Sequence, residues 1–307
     1  SETQTEWVNE WDTKIKAAYE EEADYVKMLS TKFSLPYEQK EIANYDMAFY
    51  FGPNHYQTLK KYGRNFEEII PLGWGIFGWI NRFAVIPVFN FLNGFNLNYG
   101  IIILILTVLL KIVLLPIAYK SYQSSAKMRV LKPEIAELNK KYEGKDPMEK
   151  QQATMSLYRK AGVNPLAGCI PAVLQMPILI AMFRFFPASI ELRQQPFLWA
   201  DDLSSYDSIM DLPFEIPFYG DHVSLFTLLM TVSTIIYTRM NSSMQMGAGG
   251  GEMQKQMQWM MYLMPIMFLG FFNSYASGLS YYYFLANVIT FSQHFLFRQL
   301  IDEDALH

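Results

Sequence analysis

Charge is scarce in this chain of 307 residues, cysteine is nearly absent, and the familiar nucleotide and metal motifs are missing. Only 18% of residues are charged, against about 25% in an ordinary soluble domain. A purely soluble fold is therefore a poor fit. The single thiol, Cys169, excludes an internal disulfide framework and any cysteine-built zinc or iron–sulfur site. No G-x-x-x-x-G-K-[ST] loop offers a phosphate cradle, and no H-E-x-x-H offers zinc ligands. The four histidines (55, 222, 294 and 307) are scattered, without a carboxylate at ligand spacing. Ser277-Gly278 lacks the flanks of a nucleophile motif, so intramembrane hydrolysis is set aside. We expect no enzyme activity and no cofactor. A net charge of −4 leaves no basic footprint for nucleic acid. The chain opens Ser-Glu-Thr-Gln, with neither an initiator Met nor a signal core, and is read as a piece of a longer protein.

What is abundant is apolar: 51% of residues are hydrophobic and 16% aromatic. A membrane span needs about 20 mostly apolar residues. Five segments qualify, at 99–118, 165–186, 222–240, 257–275 and 278–298, the last two forming a tight hairpin turning near Ser277-Gly278. A sixth stretch, 74–92, is aromatic but interrupted by Asn81, Arg82 and Pro87, which suits a helix lying in the membrane interface.

Loop charge orients these spans. Residues 119–164 carry Lys120, Lys127, Arg129, Lys132, Lys140, Lys141, Lys145, Lys150, Arg159 and Lys160 against five acids. Residues 187–221 carry only Arg193 against seven acids. The basic loop belongs in the cytoplasm, the acidic one and residues 1–98 outside, and the carboxy terminus inside. The acidic tail Ile301-Asp-Glu-Asp does not support that last placement. Loop 119–164 reads as two helices, one from about Ser121 to Tyr142 that Pro133 must kink or end. The other is opened by Asp146-Pro147-Met148-Glu149, a cap, a first-turn proline and a third-position acid. Beyond setting topology, this basic hairpin could bind an anionic leaflet. Upstream, Trp7, Trp11, Ile15, Ala18, Tyr25 and Leu29 recur at helical spacing, and 46–53 reads as a strand whose sheet partners lie elsewhere.

Lys111 is the residue that the pattern does not explain. It sits in the run 101–116 with no acid in the same span, where an ammonium costs about 2.5–3.5 kcal/mol to insert. Either it snorkels toward Ala118, about 10 Å away along the helix, or it faces a water-filled cavity between helices. Thr107, one turn earlier, Gln175, Asn287, Thr290, Tyr282 and Tyr283 add polar groups inside spans. Singly these are interhelical hydrogen bonds; with Lys111 they suggest a polar interior. Residues 240–264 hold eight of the 18 methionines around a Gly-rich stretch. This is either a plain linker or an adaptable apolar contact.

Five runs carry a resemblance to a known family: Asn98-Tyr-Gly-Ile-Ile-Ile, Ser125-Ala-Lys-Met-Arg, Asn164-Pro-Leu-Ala-Gly-Cys-Ile-Pro with Gln175-Met-Pro-Ile, Glu191-Leu-Arg-Gln-Gln-Pro-Phe, and Ser277-Gly-Leu-Ser-Tyr-Tyr-Tyr-Phe-Leu-Ala-Asn. Over roughly 46–300 the chain resembles the bacterial branch of the YidC/Oxa/Alb membrane-protein insertases. The resemblance implies an all-α polytopic membrane protein of the bacterial inner membrane. Residues 1–73 would be the remnant of a periplasmic β-domain, 74–92 a periplasmic interfacial helix, and 99–300 a five-span core with its cytoplasmic hairpin at 119–164. It implies a hydrophilic groove holding a cation at Lys111, with Thr107 and Gln175 beside it, and Asn287 and Thr290 join them on our reading of the spans. Substrate spans would touch Leu179, Met230, Tyr282 and Tyr283. Partners implied are nascent membrane proteins, the Sec translocon, the ribosome and the phospholipid bilayer. Two positions depart from the family pattern: Lys111 stands where Arg is usual, and Ala276 where a proline is common.

The expected function is insertion of hydrophobic segments into the bilayer without nucleotide hydrolysis. The alternative is a transporter or channel with Lys111 in a permeation path, which would predict an internal repeat among the spans; none is visible.

Overall fold

The computed structural model describes residues 50–142, 144, 146–162, 170–245 and 252–301. The helical pattern at 7–29, most of the strand expected at 46–53, the Asn164 motif and much of the Gly-rich stretch lie outside them. Residues 50–53 carry no strand. From Pro53 onward the chain forms one compact unit, and it is mostly helical. A short helix α1 (Tyr56–Lys60) and a 3-10 turn (Phe66–Ile69) lead into α2, Gly75–Asn93, interrupted by one π-type turn at Asn81–Val85. The longest helix, α3, runs Tyr99–Val130 without a break. It is followed by α4 (Lys132–Lys141), α5 (Pro147–Lys160) and α6 (Ile170–Ala188). A two-stranded antiparallel hairpin, β1 (Met210–Ile216) and β2 (Gly220–Val223), precedes α7 (Leu225–Gln245), α8 (Glu252–Asn273) and α9 (Ser277–Leu300).

The structure corrects several expected boundaries. The first span runs on into the first cytoplasmic helix as far as Val130, because nothing between Ala118 and Ser121 breaks it, and the rest of that helix is α4, with Pro133 in its first turn. Its 32 residues extend about 48 Å at 1.5 Å per residue. The segment expected at 222–240 starts only at Leu225, since Asp221 and His222 belong to β2. The turn between the last two helices is 274–276, with Ser277 and Gly278 inside the first turn of α9. The β-hairpin itself was not foreseen, its alternation having been absorbed into an acidic loop.

By length and composition two helices are apolar enough to cross a membrane, α2 and α3, with shorter apolar stretches at Val173–Ala188, Leu225–Met240 and Trp259–Asn273. The last helix, α9, misses that standard because its sequence spends positions on Ser277, Ser280, Asn287, Thr290, Gln293 and His294.

Helix α9 is the axis of the bundle and packs on α3, α6 and α7. At the end carrying the β-hairpin the packing is dense. Ile102, Ile103 and Leu106 of α3 are fully buried, as are Met182 and Phe186 of α6, Phe226 of α7 and Leu279 of α9. Aromatic rings seal this end: Trp199 sits 4.4 Å from Phe226, which lies 5.1 Å from Tyr281, itself 5.1 Å from Phe197. The Phe197 ring fills the space a side chain at Gly100 would need, which explains glycine there. Asn98 opens α3 by accepting from Gly100 N at 2.9 Å while donating to Pro196 O.

Helix α2 is fastened to this end by a buried amide. Asn81 Nδ2 donates to Leu72 O (2.7 Å) and to Ala181 O of α6 (2.8 Å). The residue that seemed to interrupt an apolar stretch thus faces protein. Ile76, Trp79, Phe83 and Phe91 are exposed instead. Asn81→Ala would leave the Leu72 carbonyl without its donor and cut the tie to Ala181 O, at about 1–3 kcal/mol. We expect faster amide exchange confined to 75–93; unchanged exchange there would refute the anchoring role.

Candidate functional site: a polar cavity around Lys111

Toward the other end the bundle opens. A cavity of about 250 Å³ lies among α3, α6, α7, α8 and α9. Its α3 wall runs Lys111, Leu114, Ala118, Ser121, Tyr122 and Ser125, successive turns of one face that lead toward the α4–α5 hairpin. Asn287, Thr290 and His294 face it from α9. Met176 of α6 and Met264 of α8, both substantially exposed, form a lateral edge. Above that edge α6 and α8 are clamped together, with Phe183 and Tyr275 stacked at 4.6 Å and Tyr275 Oη donating to Phe183 O at 3.1 Å.

Lys111 Nζ donates to Thr290 Oγ1 (3.0 Å) and Gln175 Oε1 (3.3 Å), and Gln293 Nε2 donates to the Lys111 carbonyl (3.4 Å). None of the described ion pairs involves Lys111. The ammonium is therefore held by neutral oxygens alone, which orient it but leave its charge uncompensated. Asn287 Nδ2 donates to Ser233 Oγ (2.9 Å) and Thr234 Oγ1 (3.0 Å), joining α9 to α7. The hairpin beside the cavity has its own small core of Met128, Leu131, Ile135 and Tyr158. Asp146 Oδ1 accepts from Met148 N at 2.9 Å and caps α5.

Residues 91–304 match the family model described as 60Kd inner membrane protein. The chain belongs to that family. Among similar proteins, one from Parabacteroides distasonis named membrane protein insertase YidC is 50% identical over 298 residues, covering 93% of this chain and 47% of its own length. Relatives of the same name from Bacteroides fragilis and Amoebophilus asiaticus are 48% and 52% identical, over 96% and 84% of this chain and 49% and 42% of theirs. This chain spans about half the length of the curated relatives it matches.

Lys111, Gln175, Asn287 and Thr290 meet at the cavity. Thr107 does not line it: its side chain is buried one turn away, with Oγ1 donating to Ile103 O. Leu179 and Tyr283 line both the cavity and a small apolar recess shared with Met230 and Phe268. Tyr282 lines neither: it is 1% exposed, with its ring 6.1 Å from Phe186 and its hydroxyl interacting with the Gln175 side chain. Ala276, where the family often has proline, has φ −53°, inside the range a proline ring imposes. The departure leaves the turn intact.

Ser121, Ser125, Thr234, Thr238, Gln293 and His294 also line the cavity and were missed. The spacing 111, 114, 118, 121, 125 would have found the serines, had the helix been followed past Ala118.

Proposed function

We propose that this chain is the insertase core of a bacterial inner-membrane protein, and that the Lys111 cavity is a groove through which hydrophobic segments of nascent proteins pass into lipid. One observation carries this reading: a lysine with no carboxylate partner among the described residues, inside the strongly apolar run of α3 and facing a cavity on the side of the basic hairpin. On this reading α3, α6, α7, α8 and α9 are the five spans. Their lengths of 32, 19, 21, 22 and 24 residues suit a hydrocarbon core about 30 Å thick. Residues 1–73 belong to a periplasmic domain, 74–92 to an interfacial helix, and 99–300 to the core. The hairpin 119–164 and the carboxy terminus are cytoplasmic. The ten-to-five excess of basic over acidic residues in 119–164 supports this orientation.

The mechanism follows from solvation. A client's polar flank faces the full apolar barrier unless part of that barrier is replaced by polar walls. The cavity shortens it, and Lys111 attracts an acidic flank. The hydrophobic segment leaves past Leu179, Tyr283 and the Met176–Met264 edge. Partitioning drives the exit at about −0.3 to −0.6 kcal/mol per Leu, Ile, Phe or Val, with no step that needs a nucleotide. The names of the relatives support the same reading. Action beside the Sec translocon and ribosome contact through the basic hairpin belong to the proposal as well. No observation favours the permeation-path alternative.

Photocrosslinkers at Tyr283 and Leu179, with Phe295 as an exposed control, test this using a ribosome-stalled single-span client. Adducts at both wall positions, appearing only while the span emerges, are expected. Their absence while the Phe295 probe reacts normally with lipid would overturn the groove.

A further inference from the structure

The β-hairpin between α6 and α7 has no part in the groove, yet its composition is unusual for a segment exposed to water. Along Met210-Asp-Leu-Pro-Phe-Glu-Ile-Pro-Phe, apolar residues alternate with acids and prolines. A strand with one buried face shows this pattern, but among the described residues only Leu212 of the apolar members is partly covered. Phe218 at the tip is 98% exposed, Phe214 is 61% exposed, and Met210 and Ile216 are also open. A two-stranded ribbon has no core of its own to hide them.

Position identifies what covers them. The backbone at Phe218 rests on α8 at Gly270, so closely that a Cβ there would meet the Phe218 carbonyl at 2.5 Å. Met267 and Phe271 flank that contact on α8 and are exposed, as are Leu263 and Ile266 further along the helix. The exposed tip is therefore continuous with the face of α8 that looks into lipid if α8 is a span. A second copy is a poor occupant. Pro213 within β1 and Pro217 just after it remove the donors that strand addition needs, and Asp211 and Glu215 add charge to the same segment. The acids also set the kind of surface. Asp211, Glu215 and Asp221 are exposed, and His222 hydrogen-bonded to Asp221 holds that carboxyl below the usual carboxylate range. From 194 to 238 there is no Lys or Arg, so nothing in this stretch seeks anionic headgroups.

We propose that the hairpin is a membrane-seated finger. Phe214 and Phe218 dip into the outer leaflet beside α8 by apolar contact alone, while Asp211, Glu215 and Asp221 stay in the headgroup and water layer. Aromatic residues at the lipid–water boundary serve as such anchors. The finger would fix the depth of the loop that seals the bundle. This inference rests on reading α8 as a span with this end outward.

The test uses the full-length protein in liposomes of phosphatidylethanolamine with a minority of phosphatidylglycerol. Cys169 is the only cysteine in this chain, so Cys169→Ser, with every cysteine outside these 307 residues also replaced by Ser, gives a background for single nitroxide labels at Phe218→Cys, Phe214→Cys, Glu215→Cys and Ile266→Cys. Collisions with oxygen, which concentrates in lipid, are compared with those of a water-soluble nickel chelate. Labels at 218, 214 and 266 should favour oxygen, and the label at 215 should favour nickel. Nickel-favoured labels at 214 and 218 with an oxygen-favoured 266 would overturn the finger and leave the span standing. Labels at 214 and 218 shielded from both reagents would mean that protein covers the tip, which also overturns it. A nickel-favoured 266 would remove the span and the finger together.

Discussion

Lys111→Glu should lower insertion of a client with an acidic flank by roughly tenfold or more, the equivalent of about 1.4 kcal/mol. The substitution turns the Lys111 cation, which has no carboxylate partner among the described residues, into an anion opposite Gln175 Oε1 and Thr290 Oγ1. An acidic flank then meets repulsion where it had attraction. Two charges about 4 Å apart near a protein surface interact by about 4 kcal/mol, so a partly hydrated cavity still leaves a measurable effect. Lys111→Arg should be tolerated, because a guanidinium keeps the charge and can donate to both oxygens. Lys111→Ala should fall between. Protease protection of a single-span client, measured as the endogenous protein is depleted, reads all three. Insertion by the Glu variant at the wild-type rate would remove the electrostatic role from the proposal.

Asp207→Ala should be the most destabilising change at the sealed end, by about 3 kcal/mol or more, since it strips charge-assisted bonds from buried donors. The carboxylate is buried and accepts from Trp199 Nε1 (2.9 Å), Leu225 N (2.9 Å), Phe226 N (3.1 Å) and Ser224 Oγ. It therefore caps the first turn of α7 across a gap of 18 residues in sequence. Its charge faces the positive end of the helix dipole. In detergent the thermal midpoint should drop by roughly 6 °C or more, taking about 2 °C per kcal/mol for a domain of this size. Asp207→Asn, which keeps acceptor oxygen but not charge, should lose about half as much. An unchanged midpoint for the Ala variant would show that water can replace the cap.

The contrast between these two residues shows what a sequence reveals. Lys111 was legible because a charge inside an apolar run breaks a pattern that the solvent imposes. Asn287, Thr290 and Gln175 were legible for the same reason. Asp207 was invisible: an acid in an acidic loop breaks no pattern, and its partners on α7 are tied to it only by tertiary structure. The β-hairpin was hidden in the same loop, where alternation over nine residues competed with a general impression of polarity. Thr107 and Tyr282 were named for their polarity inside a span and for the positions the family resemblance assigns them. A hydroxyl can satisfy itself on its own helix, as Thr107 does on Ile103 O, so polarity does not tell which way a helix is rotated. The end of α3 was misjudged because hydropathy stops at Ala118, whereas helical hydrogen bonding does not.

The polar wall of the cavity has a sign that its residue names conceal. Thr234 and Thr290 spend their protons on Met230 O and Ala286 O, Asn287 spends its amide on Ser233 and Thr234, and Gln293 donates to Lys111 O. What Thr234, Thr290 and Asn287 have left to offer is lone pairs. The α7–α9 side of the lining is thus basic in the Lewis sense, a row of acceptors beside the Lys111 ammonium. A passing peptide finds places for its N–H groups along this side, while its carbonyls compete with Gln175 and Thr290 for the Lys111 ammonium. Such a lining wets a backbone without gripping it, which favours brief residence over capture.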